Sequence, residues 1–191
     1  MLCVKQVYRI LLRRGDKVGK EINKIIKKSI KKLSKETCMV IAMEEIAELQ
    51  EVISDILCGT AQYKHLVEEM VDVKLYIHYI MYIEDISDKD IEKVKEKIIK
   101  DKLEKYKKIK KKKKSTLKTL LMVSSDLSIL QHGISKCIRG KMKKKDLIER
   151  IISTEVSLNI LGDFMDVKKS DVTKISKKKI ERNVYRNKHG W

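Results

Sequence analysis

Four acidic residues of this chain have the types and the spacing of a cation-binding site. Glu45 and Glu48 lie three residues apart, as do Glu69 and Asp72, with twenty residues between Glu48 and Glu69. Residues three apart share one face of an α-helix, so two such helices packed antiparallel would bring all four carboxylates together. Converging carboxylates repel one another unless a cation lies among them. An all-oxygen ligand set favours Mg²⁺ or Mn²⁺.

The same residues carry a resemblance to a known family. Residues 44–48 read Glu-Glu-Ile-Ala-Glu and residues 69–72 read Glu-Met-Val-Asp. This resembles the ExxE and ExxD signature of the MazG-like, all-α nucleoside triphosphate pyrophosphohydrolases, a superfamily that includes the dimeric dUTPases. The resemblance covers residues 36–106, and it implies that an activated water cleaves a (d)NTP to (d)NMP and pyrophosphate. It also implies a set of Mg²⁺ or Mn²⁺ ligands: Glu45, Glu48, Glu69 and Asp72.

Further residues near this signature are candidates for catalysis and substrate binding. Glu48, or its neighbour Glu44, would accept a proton from the attacking water. By resemblance, three lysines of the following helix would contact the β and γ phosphates, although a plain solvated helix face is the alternative. Arg150 is a candidate contact for the triphosphate, with a surface ion pair as its alternative. The three lysines are Lys97, Lys102 and Lys105.

The composition predicts an all-α protein that folds. The chain has 191 residues, 42% of them hydrophobic, no proline, and apolar residues that recur at helical intervals. Its start lacks an uninterrupted apolar stretch, which argues against a signal peptide or a membrane span, and we expect a cytoplasmic protein. The four cysteines form no CxxC pair, so reduced thiols are expected rather than disulfides or a zinc site.

An internal repeat divides the sequence. Residues 37–86 align without a gap with residues 118–167 at an offset of 81, and Gly59 matches Gly140 as a predicted helix C-cap. Ser34 is a predicted N-cap. The predicted fold is a helical bundle of two MazG-like repeats plus an N-terminal helical extension. Helices are expected near 36–58, 64–83, 88–108, 116–138, 145–164 and 169–186. The corresponding domains are an extension (1–35), a repeat with an intact metal site (36–106), a lysine-rich linker (107–115) and a degenerate repeat (116–191).

The second repeat has lost most of the acids. Ile and Arg in place of two carboxylates oppose the binding of a hard dication. We therefore expect one active half and one scaffold half, like a dimer of MazG-like units fused into one chain, in which the second copy supplies packing surface and part of the substrate pocket. At the offset of 81, Glu45 corresponds to Asp126, Glu48 to Ile129, Glu69 to Arg150 and Asp72 to Ser153.

The net charge of +18 indicates anionic partners. The linker lysines leave nucleic acid open as a partner, and association between chains also stays open. Residues 18–33 form an amphipathic pattern that predicts a helix closing the bundle rather than one lying on a membrane. Two rival functions remain: a catalytically inactive MazG-like nucleotide-binding protein, and a basic helical module for nucleic acid.

Overall fold

The computed structural model describes the backbone of residues 17–110 and 115–189, and the side chains of 23–109 and 116–189. Within these ranges the chain forms seven α-helices and no strand, which confirms the predicted all-α class. Each of the six helices predicted from residue 36 onward begins and ends within three residues of its expected bounds. The helices are α1 (Lys17–Leu33), α2 (Lys35–Cys58), α3 (Tyr63–Ile83), α4 (Asp88–Lys110), α5 (Ser115–Ile138), α6 (Lys144–Phe164) and α7 (Lys169–His189).

Local signals fix the ends of the helices. Ser34 caps α2, because its Oγ accepts a hydrogen bond from the amide of Thr37 at 3.1 Å. Gly59 ends α2 with a φ of 75°, and Gly140 follows the end of α5 with a φ of 64°. A side chain at such a φ is strained, so glycine is favoured at both places. The charged segment predicted as a linker is partly helical, since α4 continues to Lys110 and residues 111–114 lie outside the described ranges.

The helices of the two halves occupy matching positions. At the offset of 81, α3 and α6 coincide at both ends, and α4 and α7 begin at equivalent residues. The turns before α4 and α7 also match, because Asp85 and Asp166 have left-handed φ values of 49° and 52°. Local geometry thus agrees with the predicted sequence repeat, while a common origin of the two copies stays a prediction.

Contacts between the halves follow the same offset. Gln50 Nε2 donates to the carbonyl of Ser124 at 3.2 Å, and its equivalent Gln131 donates to the carbonyl of Met43 at 2.9 Å. Met43 and Ser124 are themselves equivalent positions. The two halves therefore face each other about an approximate two-fold axis between α2 and α5.

The third helix of each half packs on the opposite half. α4 packs on α6 and α5, whereas α7 packs on α3 and α1. Where the start of α7 meets the start of α3, Tyr63 Oη of α3 donates to the carboxylate of Asp171 of α7 at 3.0 Å. At the equivalent start of α4, Lys144 Nζ lies 3.5 Å from the carboxylate of Asp90. This crossing places residues of each half beside the helical hairpin of the other.

The apolar faces of all seven helices share one core. α1 contributes Ile25 and Ile26 to it, so this helix closes the bundle as the amphipathic pattern predicted. Three cysteines of the described ranges are free thiols, of which Cys38 is buried and Cys58 is exposed. Cys3 lies outside those ranges. No helix among the described residues is both long and apolar enough to span a membrane.

Candidate metal centre

The acidic residues lie on the helical hairpin of α2 and α3. Four residues, 59–62, connect the two helices, so consecutive helices pack against each other and their inward faces meet. The neighbouring apolar residues Ile46, Leu49 and Met70 are buried in the core. The acids therefore lie at the edge of the packed interior.

Three of the four carboxylates converge. One oxygen from each of Glu45, Glu48 and Glu69 lies within 4.8 Å of the other two. This spacing suits a single small cation, because Mg²⁺ binds oxygen at about 2.1 Å and opposite ligands then lie about 4.2 Å apart. Glu45 and Glu69 are partly buried and Glu48 is exposed, so the cluster opens to solvent at Glu48.

Asp72, the fourth acid, is held by an ammonium group from the other half. Its side chain is 2% exposed, and its Oδ2 accepts a hydrogen bond from Nζ of Lys179 on α7. Arg182, one turn further along α7, also acts on the carboxylate electrostatically. Within the part of the chain that the structure describes, the second oxygen of Asp72 is buried without a hydrogen-bond partner, and so is Oε2 of Glu69. Orphaned carboxylate oxygens of this kind are suited to a cation.

Burial and mutual repulsion raise the pKa values of these acids. Burial, followed by the charges of Asp72, Glu48 and Glu69, raises the pKa of Glu45 to about 8. Burial, followed by the charges of Asp72 and Glu48, raises the pKa of Glu69 to about 7. The pKa of Asp72 is also raised, because burial outweighs the effect of Lys179. Near neutral pH the cluster thus retains protons that a divalent cation would displace.

A cationic groove begins where Lys179 meets Asp72. It has a volume of about 470 Å³ and runs between the start of α3 and the exposed face of α7. α7 lines it with four cations and Asp171, whereas Tyr63, Lys64, Val67 and Glu68 line the side of α3. The arrangement places positive charge immediately beside a cluster of acids, as binding of a metal together with an anionic ligand requires. The four cations are Lys174, Lys178, Lys179 and Arg182.

Comparison with known proteins identifies no relative. No protein-family model, curated protein or solved structure matches this chain.

The equivalent place in the second half is closed by an internal cation. Asp126, at the position of Glu45, is 6% exposed and accepts hydrogen bonds from Lys102 Nζ and Ser157 Oγ. Arg150 Nη1 donates to the carbonyl of Ile129 at 2.6 Å. Arg150, which stands at the position of Glu69, thus joins α6 to α5. The counter-ion of the Asp126 carboxylate is therefore a lysine of the same chain, Lys102.

Most of the basic residues predicted to bind substrate border the second half. Lys102 pairs with Asp126, and Lys97 lines a groove between α4 and α6. Arg150 contacts α5, and Lys105 is exposed on α4. The structure does not bring these four residues to the acid cluster, because α4 crosses to the opposite half. Glu44 is exposed on α2 next to Glu45, so it borders the cluster from the solvent side.

The cations of α7 beside the acid cluster were not predicted from the sequence. Lys179 corresponds to Ile98 and Arg182 to Asp101 in the first half. The alignment of the two repeats therefore marks both positions as different in charge. The first half has an apolar and an acidic residue where the second half has two cations. Assigning those cations to the acid cluster requires knowing that α7 packs on α3, which no local pattern encodes.

Proposed function

We propose that this protein is a Mg²⁺-dependent nucleoside triphosphate pyrophosphohydrolase that converts (d)NTP to (d)NMP and pyrophosphate. One observation carries the proposal: three carboxylates converge within 4.8 Å beside a groove lined by four cations of α7. A cluster of acids recruits a hard cation, and the neighbouring cations suit the phosphates of a nucleotide. The sequence resemblance to the MazG-like enzymes suggests the same reaction.

The residues present fit a divalent cation. The donors are all carboxylate oxygens, and Glu69 Oε2 and Asp72 Oδ1 are buried without a hydrogen-bond partner among the described residues. Glu45, Glu48 and Glu69 would hold the ion, and Asp72 would join them when Lys179 releases it. When bound, such an ion lowers the pKa of a bound water and neutralises negative charge on the phosphates.

The protein's own groups would position the reactants and move the proton. Lys179 and Arg182 lie next to Asp72 and would hold the phosphates that leave as pyrophosphate. Glu48 is the exposed member of the cluster, so its carboxylate is available to accept a proton from the attacking water. Water attacks the α phosphorus. The bond between this phosphorus and the oxygen that bridges to the β phosphorus breaks, and pyrophosphate leaves. The groove keeps the triphosphate in line for that displacement.

A substrate screen tests the proposal directly. The full chain would be incubated with each common dNTP and NTP at saturating Mg²⁺, and (d)NMP and pyrophosphate would be quantified. We expect equimolar formation of both products and loss of turnover on addition of EDTA. Release of inorganic phosphate instead of pyrophosphate, or unchanged turnover in EDTA, would contradict the proposal. The chain with Glu45→Gln and Glu48→Gln together is the matched control for contaminating phosphatases.

A further inference from the structure

Lys74 and Glu155 occupy equivalent positions of the two halves and carry opposite charges. Lys74 lies in the middle of α3, and Glu155 lies at the offset of 81 in the middle of α6. α3 and α6 touch each other where the halves meet. Lys74 Nζ donates to Oδ1 of Asn159, one turn from Glu155 on α6, so both positions lie where α3 and α6 touch, close to the approximate two-fold axis that relates the halves.

Both charges are withdrawn from water, and they act on each other. Lys74 is partly buried, and its Nζ donates to Oδ1 of Asn159 at 3.0 Å. Glu155 is 7% exposed, and its Oε1 is buried without a hydrogen-bond partner. The charge of each opposes the effect of burial on the other: burial lowers the pKa of Lys74, and burial raises the pKa of Glu155 to about 7.

Charges close to a two-fold axis influence which halves can pair with each other. If two copies of the first half paired about this axis, Lys74 would lie near a second Lys74, and two copies of the second half would bring two Glu155 side chains together. Like charges with little solvent around them repel strongly, whereas opposite charges attract. Only the pairing of a first half with a second half brings opposite charges together.

We propose that Lys74 and Glu155 are pairing residues, which make each half of the protein combine with the unlike half and exclude pairing of like halves. The partner selected by this surface is the other half of the same chain. Specificity of this kind depends on the repulsion in the wrong pair as much as on the attraction in the right one.

The hydrogen bonds of the two equivalent glutamines across the interface do not discriminate in this way. Gln50 and Gln131 are identical residues at equivalent positions, and they make equivalent hydrogen bonds to the opposite half. Either half could therefore supply this contact to a second copy of itself. The charges at positions 74 and 155 do discriminate, in addition to the ion pairs Lys179–Asp72 and Lys102–Asp126, which also join unlike halves.

Charge reversal in the full chain tests the proposal. Lys74→Glu places two acids near the axis and Glu155→Lys places two lysines there, whereas the double variant restores one charge of each sign. We expect each single variant to raise the unfolding equilibrium constant at least about 10-fold, and the double variant to recover most of that loss. Urea unfolding at neutral pH measures these constants. Lys27→Glu, a charge reversal at an exposed position of α1, is the control for net charge.

A mixing experiment gives an independent readout. The Lys74→Glu chain carries acids at both positions and the Glu155→Lys chain carries lysines at both, so the two chains complement each other. We expect the mixture, refolded together, to form a 1:1 heterodimer by sedimentation analysis, while wild type stays monomeric under the same conditions. A double variant no more stable than the additive effect of the single changes, or a mixture without heterodimer, would overturn the proposal.

Discussion

The two halves of this protein place carboxylates at equivalent positions but supply their counter-ions differently. In the second half, Asp126 is paired with Lys102, an ammonium that belongs to the fold. In the first half, Asp72 is paired with Lys179, whereas Glu45, Glu48 and Glu69 converge without an ion pair to any described residue. The acids of the two halves thus differ in whether a cation of the fold compensates their charge.

The grooves beside the two sites also differ in the charge of the residues that line them. The first-half groove has a volume of about 470 Å³ and is lined by five cations and two acids, Glu68 and Asp171. The equivalent groove, about 380 Å³, lies between α4 and α6 and is lined by three lysines and three glutamates. An excess of positive charge therefore accompanies the open acid cluster, and balanced charge accompanies the closed one. The predictions below test this difference.

The largest effect is expected from removing one acid of the open cluster. Glu48→Gln or Asp72→Asn keeps the side-chain volume but removes an anionic ligand, so pyrophosphate release should fall at least about 100-fold with helicity unchanged. Steady-state assays with circular dichroism on the same samples measure both quantities. Asp126→Asn, in the closed site, is the matched control and should leave turnover within about 2-fold. Comparable losses in all three variants would mean that both halves bind metal.

Removing the fixed cation should damage stability rather than catalysis. Lys102→Met leaves Asp126 buried with Ser157 as its remaining side-chain partner, and we expect a loss of about 3 kcal/mol in the free energy of unfolding. Lys102→Met combined with Asp126→Leu removes both charges and should recover most of that loss. Urea unfolding measures each variant. A loss of turnover in folded Lys102→Met, with stability unchanged, would instead support the substrate contact predicted from the sequence.

Lys179 should affect metal and nucleotide in opposite directions. Lys179→Met frees the carboxylate of Asp72, so Mn²⁺ should bind about 10-fold more tightly, while a non-hydrolysable nucleotide should bind about 10-fold more weakly. Isothermal titration of each ligand into the full chain measures both affinities. Lys177→Met, on an exposed part of α7, serves as control. Metal affinity unchanged by Lys179→Met would show that Lys179 does not compete for Asp72.

The smallest effect concerns pH. Glu45 and Glu69 have folded-state pKa values of about 8 and about 7, above the ordinary value of 4.5. Stability that comes from their protonation is complete below pH 4.5 and is lost as the pH rises through 7 and 8. Metal-free wild type should therefore lose about 1–2 kcal/mol more than Glu45→Gln between pH of about 5 and 8.5, after allowance for partial exposure. Urea unfolding in EDTA measures the loss, and equal losses in both proteins would contradict the assigned pKa of Glu45.

The helices and the acid pairs were predictable because they depend on local pattern. Apolar periodicity, Ser34 and Gly59 define the ends of α2, and the spacing of its two glutamates places them on one face. The partners of Lys102 and Lys179 were not predictable in that way. Each lysine lies on a helix that crosses to the other half, so its partner is set by tertiary packing. For Lys102, family resemblance suggested a phosphate contact, whereas the structure gives it a carboxylate in the closed site.

The crossing of α7 onto α3 also bears on how the protein is made. Asp72 and Lys179 are 107 residues apart, so at a synthesis rate of about 5–20 residues per second the carboxylate precedes its ammonium by about 5–20 s. During that interval α2 and α3 have been made, but the helix that neutralises Asp72 has not. The contacts of α7 are among the most non-local in the molecule, which slows folding for an all-helical chain. The acid cluster and the groove beside it are therefore completed only after α7 has been made.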